Sequence, residues 1–332
     1  MKKIFGFDKI NIVDSFKSGR SHSCVLLHGK KGIGKASFVY NDVASVILSQ
    51  NSDKFELNQD KIERTKKLIA NNSHPDLLII DIKTLNEDGR ENTSKKSEIN
   101  VSQVRNIIKQ ANYTNSLSKY KVIVIDSIDE INVNGQNALL KTLEEPNKDT
   151  FIFIICNNLN SVLDTIKSRC IVYTISDLNF DDWKNALFQE NESMLNSLSE
   201  VELTELYRQS NKTVALALKM VEFNIFGFQK KIMELFLSKN ILDISKFAAE
   251  LEEKECFDMF KNSMDIIFSN IYRLMSFGEE IINCDLYHEL IRNNNIKKIT
   301  DNYNYYTKLI NDINLYNLSK THCINVLFNK IF

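Results

Sequence analysis

The clearest chemistry in the chain sits in one run, Gly29-Lys30-Lys31-Gly32-Ile33-Gly34-Lys35-Ala36. Its spacing fits the phosphate-loop pattern G-x-x-x-x-G-K-[ST] at every position but the last. Glycines let successive backbone N–H groups turn toward a phosphate, and a following helix adds its N-terminal dipole. Lys35 is placed to reach β and γ phosphates. The final position ordinarily supplies a hydroxyl for Mg²⁺, and Ala36 offers only a methyl. Ser37 is next in line, but one step along a helix turns a side chain away by about 100°. A second run, Lys121-Val-Ile-Val-Ile-Asp126, ends an apolar strand in an acid, the form of a Walker B strand that positions the metal. The next residue would be a Glu polarising the attacking water, and here it is Ser127, a poor general base. Asp129 and Glu130 follow Ser127-Ile128 rather than an apolar strand end, so this register assigns the metal-side acid to Asp126. Ala36 and Ser127 remove two hydrolytic parts from a frame that otherwise survives. The expectation is a nucleotide-binding fold kept as a structural part, without ATPase activity of its own. Residual ATP or ADP binding stays open, since Gly29, Gly32, Gly34 and Lys35 could hold a nucleotide without metal or be a relic.

These residues need strands and helices to hold them. Cys24–His28, Leu77–Asp81, Lys121–Asp126, Phe151–Asn157 and Ile171–Ile175 are short and almost continuously apolar. Such runs suit strands of a parallel sheet buried on both faces by helices. The stretches between the first three runs exceed a minimal crossover, so insertions are expected there, and Asn86–Asn100 reads as an exposed, mobile loop. After about Asp177 the strand signal ends. Asp181, Asp182 or a neighbour should cap a first helix, and Ser199–Glu202 has the capping-box form for a second. Amphipathic stretches such as Phe226–Leu237, Ile244–Glu253 and Met259–Met275 follow. The expected domains are α/β over 1–176, small helical over 177–222 and all-helical over 223–332.

Composition excludes several classes. With 42 basic and 43 acidic side chains, bulk charge cannot drive binding to many phosphates at once. Scarcity of glycine and proline, 9 and 2, excludes collagenous and linker proteins and favours helices. The longest apolar runs, such as Phe151–Cys156, are too short to span a membrane, and Asp8, Lys9, Asn11 and Asp14 interrupt any apolar signal region after Lys2-Lys3. Six scattered cysteines make neither a disulfide framework nor a zinc spacing. A cytoplasmic protein with reduced thiols is expected. His22, His28, His74, His288 and His322 are isolated and are read as structural or exposed.

Further runs carry a resemblance. Asn137-Ala-Leu-Leu-Lys-Thr-Leu-Glu-Glu-Pro146, Thr165-Ile-Lys-Ser-Arg169-Cys170, His74-Pro-Asp-Leu-Leu-Ile-Ile80, Ile99–Ile107 and Leu26–Lys35 together resemble subunits of the bacterial DNA polymerase III clamp loader, of the AAA+ class. The resemblance covers about residues 5–176 and, more weakly, 177–222. It implies an AAA+ α/β domain with a phosphate loop, a small helical lid and a helical collar for oligomerisation. It implies a non-motor subunit that helps load a sliding clamp onto primed DNA, in a five-membered ring with a DnaX-type (gamma/tau) motor subunit and a delta subunit. Ser168-Arg169-Cys170 is then the motif whose arginine reaches a neighbour's ATP as a trans finger. Asn157 falls at the sensor-1 position. Ser210–Leu216 is similar to the sensor-2 region, with Thr213 where hydrolysing relatives have arginine. Many relatives carry a four-cysteine zinc module near residues 49–73, which here has no cysteine, so no zinc and no required cofactor are expected. Two alternatives stay open: an active DNA-dependent ATPase motor subunit of the same loader, or a P-loop kinase or unrelated NTPase. Glu144 and Glu145 oppose the dipole of their helix, which favours a partner contact over simple solvation, with packed core and solvated acids as the other reading.

Overall fold

Five apolar runs form the strands: β1 (Cys24–His28), β2 (Leu77–Ile80), β3 (Lys121–Asp126), β4 (Thr150–Cys156) and β5 (Ile171–Thr174). All neighbours pair in parallel, in the order β2-β3-β4-β1-β5. This computed structural model describes residues 12–17, 22–52, 55–84, 98–191, 195–279, 281–292 and 294–331. Of the expected exposed loop Asn86–Asn100, residues 86–97 lie outside the described residues, while at its end Ile99 is buried in a bridge to Ile131 and Asn100 caps the following helix.

The lack of alternation in β1, β3 and β4 follows from their central positions, where both faces are covered. On one face Leu26, Ile123, Ile125, Ile152 and Ile154 pack with Val104, Ile107, Leu139 and Leu143 from helices Val101–Ala111 and Val133–Glu144. On the other, Phe151 meets Phe16 of helix Ile12–Lys17 at 5.2 Å between ring centres. Val25 and Phe153 line a small space there with Ile47, which belongs to the helix after the phosphate loop. The expectation of two covered faces fails at β5. That strand sits at the sheet edge, and its Ile171 and Val172 are exposed.

Register decides where the chemistry gathers. His28 pairs with both Cys156 and Thr174, and Asp126 with Ile155, so the carboxyl ends of β1, β3, β4 and β5 lie side by side. In open α/β sheets this is the edge where ligands bind.

Between β1 and β2 run the helical stretch Lys35–Phe38, a π-helical turn Val39–Ala44, Ser45–Leu48, and the Asn58-capped helix Gln59–Ala70. The His74-Pro75-Asp76 run has a structural cause. The Asp76 carboxylate, 1 % exposed, accepts backbone N–H bonds from Ser116 (2.7 Å), Leu117 (2.7 Å) and Ser118 (2.8 Å), fastening the approach to β3 beside β2. His74 Nδ1 accepts from the Asp76 N–H, and burial lowers the imidazole pKa, which favours that neutral acceptor.

The chain divides into two compact units, one running to Gln189 and including Lys212–Ala215, the other comprising Glu190–Asn211 and Leu216 onward. Asn179, rather than either neighbouring aspartate, caps helix Phe180–Glu190 through the Asp182 N–H. The Ser199–Glu202 capping box forms as its spacing predicts. The second unit is helical throughout its described residues, with helices Ile225–Ser238, Ile241–Glu250, Lys254–Phe277, Ile296–Tyr316 and Lys320–Lys330. Its core stacks Phe236 on Phe328 at 4.2 Å, with Phe247 edge-on to Phe328. Among the described residues no helix is long and apolar enough to cross a membrane.

Asp76→Ala leaves three backbone N–H groups without their acceptor, and should cost about 2–4 kcal/mol, as expected for losing hydrogen bonds to a buried charged group. Urea denaturation followed by circular dichroism measures it, and Asp76→Asn should fall between the two proteins.

Candidate functional site

The phosphate loop leaves β1 with the Gly29 N–H bonded to Cys156 O at 3.2 Å, which ties its root to β4. Gly32 (φ 84°) and Gly34 (φ 102°) hold left-handed backbone conformations that a Cβ would oppose, and Gly34 delivers the chain into the helix opening at Lys35. Lys35 is only 4 % exposed. Its ammonium donates to Gly29 O (2.6 Å), Lys30 O (2.7 Å) and Asn157 Oδ1 (2.9 Å). All three N–H groups are thus occupied by the loop and by the end of β4. Burial pulls the Lys35 pKa down to about 8, opposed by the negative charges of Asp129 and Asp126.

Asn157 accepts from this ammonium, Asp126 acts on it through its charge, and Ser127 joins the group through Asn157. Asp126 is pushed up in pKa by burial and by Asp81, against the pull of Lys35 and Lys31. Ser127 is buried; it donates to Asp129 Oδ2 at 2.8 Å and accepts from Asn157 Nδ2 at 3.2 Å, so its hydroxyl links strand ends. Asp129 is the functional residue that sequence reasoning passed over. Its carboxylate also accepts from Asn157 N (2.6 Å), Asn158 N (2.8 Å) and Ser161 Oγ (2.8 Å). Burial raises its pKa, but these bonds outweigh it and hold the carboxyl below the usual range. The one available signal was its place in the turn directly after β3.

Magnesium does not fit this donor set. Ala36 provides no oxygen, Ser37 is exposed to solvent, and burial and Asp81 raise the Asp126 pKa. Among the described residues no group of three or more His, Cys, Asp or Glu side chains is arranged to hold a metal ion.

Arg169 lies at a different edge of the same unit, after the short helix Asp164–Lys167. Its Nε donates to Glu144 Oε1 at 3.0 Å, and Nη2 donates to the same oxygen. Nη1 donates to Thr165 O at 2.6 Å and to Ser168 Oγ at 3.4 Å. Where a partner contact was expected at the helix-ending glutamates, the chain's own Arg169 pairs with Glu144. Cys170 packs against the core of the sheet, and burial pushes its thiol up to about 12. It is a protonated packing residue.

The sensor-2-like segment rests on the phosphate loop. The Ala215 N–H donates to Gly32 O at 3.4 Å, and Thr213 is buried beside it. Asp177 Oδ2 accepts from Lys30 at 2.7 Å and lies 3.6 Å from Lys212 Nζ. That aspartate bridges the loop and the segment, and no motif announces it.

With this geometry in view, the family described as DNA polymerase III, delta subunit, matches residues 9–179. Subunit delta' of DNA polymerase III from Pseudomonas aeruginosa is 32 % identical over 146 residues, 44 % of this chain and 40 % of that protein. The Bacillus subtilis delta' subunit is 32 % identical over 161 residues, 48 % of this chain and 44 % of that one. The gamma subunit from Buchnera aphidicola subsp. Schizaphis graminum is 26 % identical over 326 residues, 92 % of this chain and 85 % of its own length. The aligned part of the chain thus spans less than half of the two delta' relatives.

An NMR pH titration of lysine side chains should show one group with a midpoint near 8, absent in Lys35→Met. Because the folded value lies below the ordinary 10.5, the unfolded chain holds a proton there that the folded chain has released. The cost of burying the ammonium is complete below pH 8, and stability should rise between about 8 and 10.5. A midpoint at 10 or above contradicts this burial.

Proposed function

The chain belongs to the DNA polymerase III delta-subunit family, and from that premise we propose that it acts as a non-motor, delta-prime-like subunit of a clamp loader. In this reading it donates Arg169 as a trans finger to the ATP held by a neighbouring subunit. A guanidinium placed against the γ-phosphoryl group neutralises charge that spreads over its oxygens in the transition state, and supplying it from another chain makes hydrolysis depend on assembly. The partners are a DnaX-type (gamma/tau) motor subunit and a delta subunit in a five-membered ring, with sliding clamp and primed DNA engaged through the assembly. Residues 1–176 serve as the AAA+ domain, 177–222 as the lid and the helices over 223–332 as the collar. The protein works in the cytoplasm and needs neither zinc nor another cofactor.

One contrast carries the reading. The Arg169 side chain is 30 % exposed at a rim, whereas Lys35 is 4 % exposed with its donors turned inward. The group suited to another chain's phosphate is presented, and the group suited to its own is closed. Ala36 and Ser127 point the same way. Ser168 supports the arginine and Cys170 anchors it, while Asp126 and Asn157 serve the loop as structure. ATP or ADP held by Gly29, Gly32, Gly34 and Lys35 would bind without metal.

The long gamma-subunit match favours a second reading, an active DNA-dependent ATPase motor. The purified chain should show no ATP turnover. Turnover abolished by Lys35→Ala would establish the motor reading instead. In the reconstituted ring, Arg169→Ala should slow hydrolysis at one site about 10³-fold or more, the scale of an arginine finger. Single-turnover kinetics in the presence of primed DNA separates that site from the others, and an unchanged time course contradicts the donor role.

A further inference from the structure

We infer that Glu144 is the positioning residue for Arg169, a deepening that rests on the arginine-donor reading. Glu144 is the last residue of helix Val133–Glu144, where the helix's own carbonyl ends make a carboxylate unfavourable unless a cation neutralises it. Arg169 is that cation. A guanidinium has five N–H groups in a rigid plane. Here Nε and one Nη2 hydrogen go to Glu144 Oε1, and Nη1 goes to Thr165 O and Ser168 Oγ. Both edges of the plane are held, and one Nη2 N–H remains for an acceptor outside this set.

The two ends of this clamp come from different parts of the sheet. Glu144 ends the helix that leads into β4, and Thr165 and Ser168 belong to the short helix and its C-terminal cap that lead into β5. Leu143 and Ile166, next to the two contacts, are buried in the same core cluster, so the acceptors are fixed by packing. An unrestrained arginine samples many rotamers. One held at both edges meets a phosphate with its orientation already set, and misplacement by about 1 Å can cost on the order of 10²-fold in rate. The Glu144 side chain is 49 % exposed, so the pair lies at the surface, where a partner's phosphate can reach it.

The test uses the reconstituted ring with single-turnover ATP hydrolysis. Glu144→Ala should slow the site served by Arg169 by about 10- to 100-fold, with ring assembly and the KM for ATP unchanged. Glu144→Gln keeps an oxygen acceptor and should recover part of the rate. In the Arg169→Ala background, Glu144→Ala should add nothing, because no guanidinium is left to place. A rate unchanged by Glu144→Ala overturns the proposal, and a raised rate makes Glu144 a latch that withholds the arginine. An equal further drop in the Arg169→Ala background makes it a structural residue only. An Arg169→Ala ring with normal hydrolysis strikes the donor reading itself and removes the positioning role with it. Matching thermal melts of the variants exclude misfolding as the cause of a loss.

Discussion

The Asp129 carboxylate joins the strand ends from which the rest of the site is built. It takes the Ser127 hydroxyl just after β3, the Asn157 and Asn158 N–H groups just after β4, and the Ser161 hydroxyl in the turn that leads toward Arg169. Asn157 then accepts from the Lys35 ammonium, so one half-buried acid connects the phosphate loop with the approach to the arginine. A carboxylate drawn partly out of water is costly unless its lone pairs are filled. Four donors fill them, which is why its pKa falls despite burial. The contribution is complete above the ordinary aspartate range and is lost as pH falls through the depressed folded value.

This arrangement explains how a phosphate loop can persist as scaffold. A loop that waits for phosphate leaves its lysine to be satisfied by ligand or water. Here Gly29 O, Lys30 O and Asn157 Oδ1 satisfy it, and Asp177 neutralises Lys30. A phosphate entering would have to displace bonds already made in a buried setting, where each is strengthened by the low local polarity. In the proposed reading the loop's work is to join β1 to its helix and to seat Thr213 and Ala215 in the unit that carries Arg169.

Much of this was legible in the residues. The five strands appear within a residue or two of the apolar runs, because the centre of a parallel sheet demands continuous burial, and Gly29–Lys35 with Asp126 and Asn157 converge because they end adjacent strands. What stayed hidden depends on contacts between distant parts of the chain. Asp129 was set aside because it does not end an apolar strand, yet its role comes from donors 28 to 32 residues away. Glu144 carried a partial signal as an acid at the wrong end of a helix, but only the fold shows that Arg169, 25 residues on, answers it. Asp76 sits in the quoted His74–Ile80 run and Asp177 just after β5, but neither residue's type shows the N–H groups or lysines it meets in the fold. The exposure of β5 was equally invisible, since Ile171-Val172 reads as interior until the strand order places it at the edge.

The central claim is that this chain's own phosphate loop has lost its metal-dependent chemistry while Arg169 keeps a role toward another chain. Calorimetric titration of the isolated chain with ATP, once with Mg²⁺ and once with EDTA, tests the first half most directly. Because Ala36 lacks the hydroxyl and Ser127 replaces the catalytic acid, the two titrations should agree within about twofold, whether binding is weak or undetectable. A tightening of about tenfold or more by Mg²⁺, lost in Lys35→Ala, would contradict it.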